Sequence, residues 1–360
     1  MLEVVIKKKL DNYTLETAFQ LETGCLGILG ASGCGKSVTL QCIAGILTPD
    51  EGMIRLDGRV LFDSERKINR KPQERRIGYL FQNYALFPNM TVAENIAAGF
   101  RDHSGIKGKE EKRLREAKLA EMLERFSLTE LAGRYPKYLS GGEQQRTALA
   151  RLLIGEPEVL LLDEPFSALD AYLKEGLQLE LLTLIRRLSV PAVLVTHSRD
   201  EVYRLSSSLM IMDRGRAEKP ADTRELFLRP VSKVAAKLTG CKNIAAALQT
   251  ETECFVPEWG LRLPISPKGE KTDCIGIRAH DFVHMPEPGR EENYIPVEIV
   301  IQAISEGPFE WNVTFQKRGI PKQGALLWWK VSKELLKTQE ELEQITVLYI
   351  RKVGILYLRA

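Results

Sequence analysis

The sequence lacks any apolar run of the length that a membrane-spanning helix needs, about 18 residues, anywhere in its 360 positions. It is therefore not expected to cross a bilayer, and a role at a membrane has to pass through a partner. A surplus of one charge is lacking too. The formal net charge is +3 and the lysines and arginines are dispersed, so no nucleic acid is expected as a partner. The six cysteines (Cys25, Cys34, Cys42, Cys241, Cys254 and Cys274) form no CxxC pair and no metal-ligand spacing. Free thiols in a reducing cytosol are the expectation. Residues 1–9 are too few and too charged to read as a signal peptide. What is present is an ordinary globular mixture, 44% hydrophobic and 28% charged, long enough for two or more domains.

One stretch carries specific chemistry: Gly30-Ala31-Ser32-Gly33-Cys34-Gly35-Lys36-Ser37 fits G-x-x-x-x-G-K-[ST]. The apolar run 25–29 before it reads as a buried strand, and 38–44 after it reads as a helix start. Glycines at such a junction let the backbone turn tightly and aim its N–H groups at phosphate oxygens, beside the positive end of the helix. Lys36 then reaches the outer phosphates and the Ser37 hydroxyl ligates Mg²⁺. A nucleoside triphosphate is the expected ligand, with residues 30–37 and Val38 around it. Tyr13 is the aromatic best placed by sequence to stack on the base; a half-buried strand tyrosine is an equal alternative.

Further along, 53–62 reads as a hairpin about Asp57-Gly58. The segment 77–81 is a strand ending on Gln82, where open α/β sheets bind ligands, so Gln82 can meet the metal or the attacking water. Residues 90–135 look helical: Thr91 and Glu94 resemble a capping box, and 109–126 is amphipathic with a solvated charged face. Leu139-Ser140-Gly141-Gly142-Glu143-Gln144-Gln145-Arg146 is a second Gly-rich opening to a helix, with Ser140 as candidate cap. Because 30–37 already hold one nucleotide's phosphates, this second anion site makes sense if it serves another subunit, although a simple loop-to-helix junction would look similar. The run 159–162 reads as a strand buried on both faces and ends in Asp163-Glu164. There Asp163 would join the Mg²⁺ shell and Glu164 would polarise water as general base. Ser167-Ala168-Leu169-Asp170 follows, then a helix over 171–188 with Leu173, Leu177, Leu181, Leu184, Ile185 and Leu188 on its apolar stripe. The buried strand 191–196 ends at His197, a candidate contact for the γ-phosphate or the water.

In this order and spacing, residues 30–37, Gln82, 139–146, Asp163-Glu164, 167–170 and His197 make residues 1–240 resemble the ATP-binding subunit of ABC transporters. The resemblance implies an α/β fold, a P-loop NTPase core of the ABC type with a helical subdomain at about 83–155. It implies a homodimer joined head to tail, each ATP lying between the phosphate loop of one copy and Ser140, Gly141, Gly142 and Gln144 of the other. Glu164 would activate water, His197 would contact the γ-phosphate, and Ser37, Gln82 and Asp163 would surround Mg²⁺. Residues 82–88 would receive the coupling helix of a membrane permease subunit, with a solute-binding protein acting further off. The expected location is the cytoplasmic face of the membrane. The wording of 72–79 and 86–92 is similar to importers of sulfate, molybdate, iron, polyamines and sugars. Within that group 239–243 and 276–281 look most like molybdate importer ATPases, with sulfate or thiosulfate next, then iron(III), polyamine or sugar. A soluble ABC-type protein of DNA repair or translation is the contrasting reading; the single phosphate loop and the absence of a heptad run speak against it.

From about residue 241 the patterning changes to short alternating segments, 295–301, 311–315, 326–329, 347–350 and 355–358. A small all-β barrel is expected over 241–360, OB-like and of the TOBE type by the same resemblance. Some molybdate relatives bind the transported oxyanion there and shut off transport. Arg278, His280 and Lys330 are the candidate anion ligands, with ordinary surface charges the favoured alternative. The tryptophans are expected in the core or at dimer contacts.

Overall fold

The computed structural model describes residues 1–101, 108–167, 171–188, 190–266, 269, 271–320 and 325–360, and of 171–173, 184 and 186–188 only the backbone. Ala168, Leu169 and Asp170, and the side chains of Leu173, Leu184 and Leu188, thus lie outside the described part. The chain divides into two compact units, Met1–Arg224 and Glu225–Ala360.

In chain order the first unit comprises β1 (Leu2–Lys9), β2 (Thr14–Leu21), β3 (Cys25–Gly30), α1 (Lys36–Ala44), β4 (Glu51–Leu56), β5 (Arg59–Asp63), β6 (Ile68–Asn69) and β7 (Ile77–Leu80). Then follow α2 (Val92–Ala98), α3 (Lys109–Arg125), α4 (Gly141–Leu153), β8 (Val159–Asp163), α5 (Ala171–Leu188), β9 (Ala192–Thr196), α6 (Arg199–Leu205), β10 (Ser208–Asp213), β11 (Arg216–Ala217) and β12 (Ala221–Asp222). One sheet runs β6-β5-β4-β1-β2-β11-β10-β3-β9-β8-β7. Its members β10, β3, β9, β8 and β7 are mutually parallel, and β1, β2, β4, β5 and β6 pair antiparallel. The Asp57-Gly58 reversal joining β4 to β5 has positive φ at both residues (47° and 76°), the backbone that matches strand twist in a two-residue hairpin.

Every residue of β3, β8 and β9 is buried, as interior parallel strands require. Successive side chains serve opposite faces. Leu160 and Leu162 join the core beneath α2, α4 and α5 (Ile96, Leu149, Leu153, Leu177, Leu181), while Val159 and Leu161 join the core beneath α1 (Leu40, Ile43) that also takes the antiparallel strands (Val4, Ile6, Leu15, Ile54). The amphipathic α3 turns Met122 inward and leaves most of its charged residues exposed. The expected capping box opens α2: Glu94 N–H donates to Thr91 Oγ1 (3.3 Å), and Thr91 N–H donates to Glu94 Oε2 (2.7 Å). The parallel register brings the carboxyl ends of β3, β7, β8 and β9 to one edge, where α/β sheets bind ligands.

α7 (Thr223–Leu228) spans the division, and the second unit continues with α8 (Lys233–Leu238) and β13 (Asn243–Ala246), β14 (Leu248–Gln249), β15 (Glu253–Val256), β16 (Leu261–Pro264), β17 (Cys274–Ile277) and β18 (Phe282–Val283). β19 (Tyr294–Glu306), β20 (Glu310–Lys317), β21 (Leu327–Ser332), α9 (Gln339–Glu343), β22 (Val347–Arg351) and β23 (Ile355–Leu358) complete it. Its three sheets, β13-β17-β23, β14-β15-β16 and β18-β22-β19-β20-β21, are all antiparallel, the expected OB-like all-β arrangement. Trp259, Trp311 and Trp329 are buried in its core, whereas Trp328 is partly exposed with Lys242 over its ring. The contact boundary falls ahead of the change of sequence pattern at 241 because Ala236 of α8 packs with Cys241, Cys274, Leu356 and Leu358 of the β unit.

Candidate nucleotide-hydrolysis site

β3 delivers the phosphate loop. A Cβ on Gly30 would lie 2.3 Å from the Met212 carbonyl oxygen and 2.6 Å from Cys34 Sγ, so the strand end admits glycine alone. Gly33 (φ 79°) and Gly35 (φ 112°) take left-handed turns, and Gly35 caps α1 without any side-chain bond. The first-turn N–H groups of α1 are therefore left to an anion. Lys36, 5% exposed, donates from Nζ to the carbonyls of Gly30 and Ala31, both at 2.9 Å, which puts its ammonium at the rim of the loop. Tyr13 is anchored on the same loop: its hydroxyl donates to the Gly33 carbonyl at 2.7 Å, and a Cβ on Gly215 would meet its ring at 2.4 Å. Burial, then the nearby Cys34, raises its phenol above the ordinary value.

Three further groups converge from the ends of β7, β8 and β9. The Ser37 hydroxyl donates to Asp163 Oδ1 and the Tyr79 hydroxyl donates to Oδ2, each at 2.8 Å. Glu164 follows in a left-handed backbone (φ 44°), a conformation that costs a side-chain-bearing residue roughly 1–2 kcal/mol. It is held there because its N–H donates to the Val195 carbonyl at 2.9 Å and its carbonyl accepts from Ser167 N–H (3.2 Å) and Oγ (3.0 Å). Glu164 Oε2 accepts from Gln82 Nε2 at 3.3 Å and lies 3.3 Å from His197 Nδ1. Gln82, Glu164 and His197 are thus brought together as their places in the sequence suggested. His197 is more than half exposed, as a group that meets a ligand must be.

Two supporting residues were not legible in the motifs. Tyr79 sits in an otherwise apolar parallel strand one residue before its end, and a buried hydroxyl there needs a partner. Burial, reinforced by the Asp163 charge, pushes its phenol far above the ordinary value, so it stays a donor to the carboxylate. Glu201, 3% exposed, accepts from Thr196 Oγ1 and pairs with Lys174 Nζ, both at 2.5 Å, and thereby fixes the turn that carries His197. Its signal was only a carboxylate at the fourth position after His197.

The Gly-rich run 139–146, a signature of the resemblance described above, leads into α4, the signature helix, and forms its N-terminus. Ser140 accepts from Glu143 N–H (3.4 Å) and its own N–H donates to Glu143 Oε2 (2.7 Å), a capping box that lowers the Glu143 pKa. Gln144 Nε2 donates to the carbonyls of Pro136 (3.3 Å) and Leu139 (3.2 Å), bracing the approach to the helix. Gly141 and Gly142 provide the first backbone N–H groups of α4. Beyond Gln82 the chain borders a groove of about 490 Å³ lined by Arg76, Tyr79, Phe81, Phe87, Arg101 and Arg151, and Phe81 and Phe87 are exposed there.

Among the described residues no group of three or more His, Cys, Asp or Glu is placed to hold a metal by itself. The Ser37 and Asp163 oxygens, 2.8 Å apart, do fit Mg²⁺, which takes one or two protein oxygens and completes its shell from phosphates and water. In the second unit Arg278 donates to the Thr239 carbonyl (2.8 Å), to Thr239 Oγ1 (3.2 Å) and to the Phe227 carbonyl, while Lys330 pairs with Glu310. Arg278 thus serves internal structure, Lys330 stands in an exposed ion pair, and His280 lies in the short turn after Arg278.

Residues 16–167 match the ABC transporter family. The molybdate/tungstate import ATP-binding protein WtpC of Thermococcus kodakarensis is 39% identical over 85% of this chain and 89% of its own length. The sulfate/thiosulfate import ATP-binding protein CysA 2 of Chromobacterium violaceum is 42% identical over 87% of this chain and 81% of its own. The spermidine/putrescine import ATP-binding protein PotA of Oleidesulfovibrio alaskensis is 41% identical over 61% of this chain and 56% of its own. Among solved structures, the ATP-binding cassette MJ0796, a dimer in a post-hydrolysis state with ADP and Pi, superposes with a TM-score of 0.52 at 27% identity, covering 62% of this chain and 99% of that one. With the phosphate loop, the paired carboxylates and the signature helix placed as described, the chain belongs to the ATP-hydrolysing, ATP-binding subunits of ABC importers.

Proposed function

We propose that this ATPase drives uptake of an oxyanion, molybdate or tungstate first, as a homodimer on the cytoplasmic face of a membrane. The observation that carries the ATPase mechanism is the meeting of Gln82 and His197 on one carboxylate oxygen of Glu164, next to Asp163 and the phosphate loop. When ATP enters, the loop N–H groups and Lys36 bind its phosphates, and Ser37 with Asp163 and Gln82 would hold Mg²⁺, which supplies charge neutralisation at the phosphates. Glu164 accepts the proton of the attacking water while Gln82 and His197 fix its orientation. Gln82 and His197 also complete the contacts to the metal shell and the γ-phosphate, and Tyr13 stacks on the base.

Ser140, Gly141, Gly142 and Gln144 of a second copy would close over the same nucleotide. The N-terminus of α4 supplies backbone donors there, and the dimeric cassette MJ0796 supports such a pairing. Among the described residues no helix is long and apolar enough to cross a membrane, and the import ATP-binding relatives support a permease partner for transport. The exposed aromatic groove beside 82–88 is where that partner would dock, with a solute-binding protein acting through the permease. WtpC supports molybdate or tungstate, and CysA 2, equally similar, supports sulfate as the second reading. The second unit serves as the accessory, TOBE-type domain, where the oxyanion would bind. Calorimetric titration of the full chain with molybdate, tungstate and sulfate, with ATPase rates in the presence of the permease, tests this. Selective binding of molybdate or tungstate with a falling rate is expected for feedback; stimulation of transport by sulfate alone would overturn the substrate.

A further inference from the structure

The loop after Gln82 contains two consecutive non-glycine residues in the left-handed region, Tyr84 (φ 59°) and Ala85 (φ 43°). L-residues enter that region only when their surroundings hold them. Backbone bonds close the turn, Tyr84 N–H to the Phe81 carbonyl (2.9 Å) and Ala85 N–H to the Asn83 carbonyl (2.7 Å), and one side chain on α4 takes both of its carbonyls. Arg151 donates from Nη2 to the Tyr84 carbonyl and from Nη1 to the Ala85 carbonyl, both at 2.7 Å, and Phe87 lies over the same guanidinium at 5.2 Å. The planar fork meets the two carbonyls through two separate coplanar nitrogens, an arrangement that the single nitrogen of a lysine does not reproduce.

The turn also aims a side chain at the catalytic segment. Tyr84 is 3% exposed, and its hydroxyl donates to the Pro165 carbonyl at 3.2 Å, which also accepts from Gln145 Nε2 of α4 at 3.2 Å. Pro165 directly follows Glu164, whose backbone is itself left-handed. The short run from Gln82 to Ala85 therefore grips Glu164 twice, Gln82 at the carboxylate and Tyr84 at the backbone behind it. We propose that Arg151 and Tyr84 form a positioning pair for hydrolysis: Arg151 latches the left-handed turn, and the latched turn holds Tyr84 on the Pro165 carbonyl so that Glu164 keeps its place. The pair rests on Glu164 acting as the base.

The test is steady-state ATP hydrolysis by full-length R151K, Y84F and R151K/A85G chains, with nucleotide binding measured separately by a fluorescent ATP analogue. R151K and Y84F are each expected to lower kcat about tenfold, a displaced base being costly, with KM and binding unchanged. Glycine takes positive φ freely, so A85G is expected to restore most of the kcat lost in R151K. A merely structural Arg151 would lose binding and thermal stability together and would not be rescued by a glycine. An R151K chain within about twofold of the parent, or R151K/A85G no faster than R151K, overturns the pair. If R151K fails to fold, Y84F, which removes one hydroxyl, decides: unchanged kcat overturns the proposal. E164Q is run alongside. Normal turnover there removes the base and the pair together, whereas loss in E164Q with an unaffected R151K overturns the pair alone.

Discussion

Asp163 has a hydroxyl on each carboxylate oxygen, Ser37 on one side and Tyr79 on the other, while the carboxylate of Glu164 next to it meets Gln82 and His197. In the proposed mechanism the two neighbours do different work, Asp163 held for a metal shell and Glu164 left to take a proton. Glu164→Gln keeps the shape and the hydrogen bonds but removes the base. It is expected to bind ATP and to dimerise, with kcat reduced by about 10²–10⁴. Single-turnover hydrolysis together with gel filtration in ATP checks this, and normal turnover would remove Glu164 from the role. At this scale the motifs were legible because phosphate and metal chemistry demand particular residue types at fixed spacing. Tyr79 was not, since its role comes from β7 lying beside β8, and Glu201 was not, since a lone carboxylate after His197 does not reveal that it turns back to Thr196 and Lys174.

Among elements, α4 does the most connecting. Its first turn carries Ser140, Gly141 and Gly142, its middle reaches Pro165 through Gln145, and its end holds the loop after Gln82 through Arg151. The opening of this helix is pH-sensitive in a definite sense. The folded-state pKa of Glu143 is lowered, first by the Ser140 N–H, so its contribution is complete above the ordinary carboxylate value and is lost as pH falls through the lowered one. Glu143→Gln is expected to reduce the melting temperature at neutral pH, with the difference from the parent closing below about pH 4. A difference that stays constant from pH 7 to pH 3 would contradict the capping role. In the second unit Asn243 bridges strands that the sequence pattern could not connect. Its Nδ2 donates to the carbonyls of Ile277 (3.0 Å) and Trp328 (2.8 Å), and its Oδ1 accepts from Trp328 N–H (2.6 Å). Asn243→Ala leaves these buried groups unpaired and is expected to cost about 3 kcal/mol in denaturant unfolding. The later strands β19 to β23 were legible from their alternation, whereas β13 to β18 are short, and β13, β17 and β18 take partners far along the chain. The two segments that resembled molybdate importers, 239–243 and 276–281, turn out to be bonded to each other through Arg278 and Thr239. Their likeness therefore reports a shared architecture and does not by itself identify a solute.

For the whole molecule, the nucleotide site has its phosphate loop, carboxylates and His197 in one copy, while Ser140 and Gln144 of that copy are occupied within their own helix approach. That division supports a site completed by a second copy, and it is the central claim. It is tested most directly by mixing two inactive chains, Lys36→Ala, which disables the phosphate loop, and Gly141→Asp, which sets a carboxylate against the phosphates. In a mixed dimer one site combines the intact loop of the Gly141→Asp chain with the intact signature helix of the Lys36→Ala chain. The account predicts that an equal mixture recovers about a quarter of the parent ATPase rate, since half of randomly formed dimers are mixed and each holds one complete site. A mixture as inactive as either chain alone, with mixed dimers shown by pull-down of differently tagged copies, would contradict it.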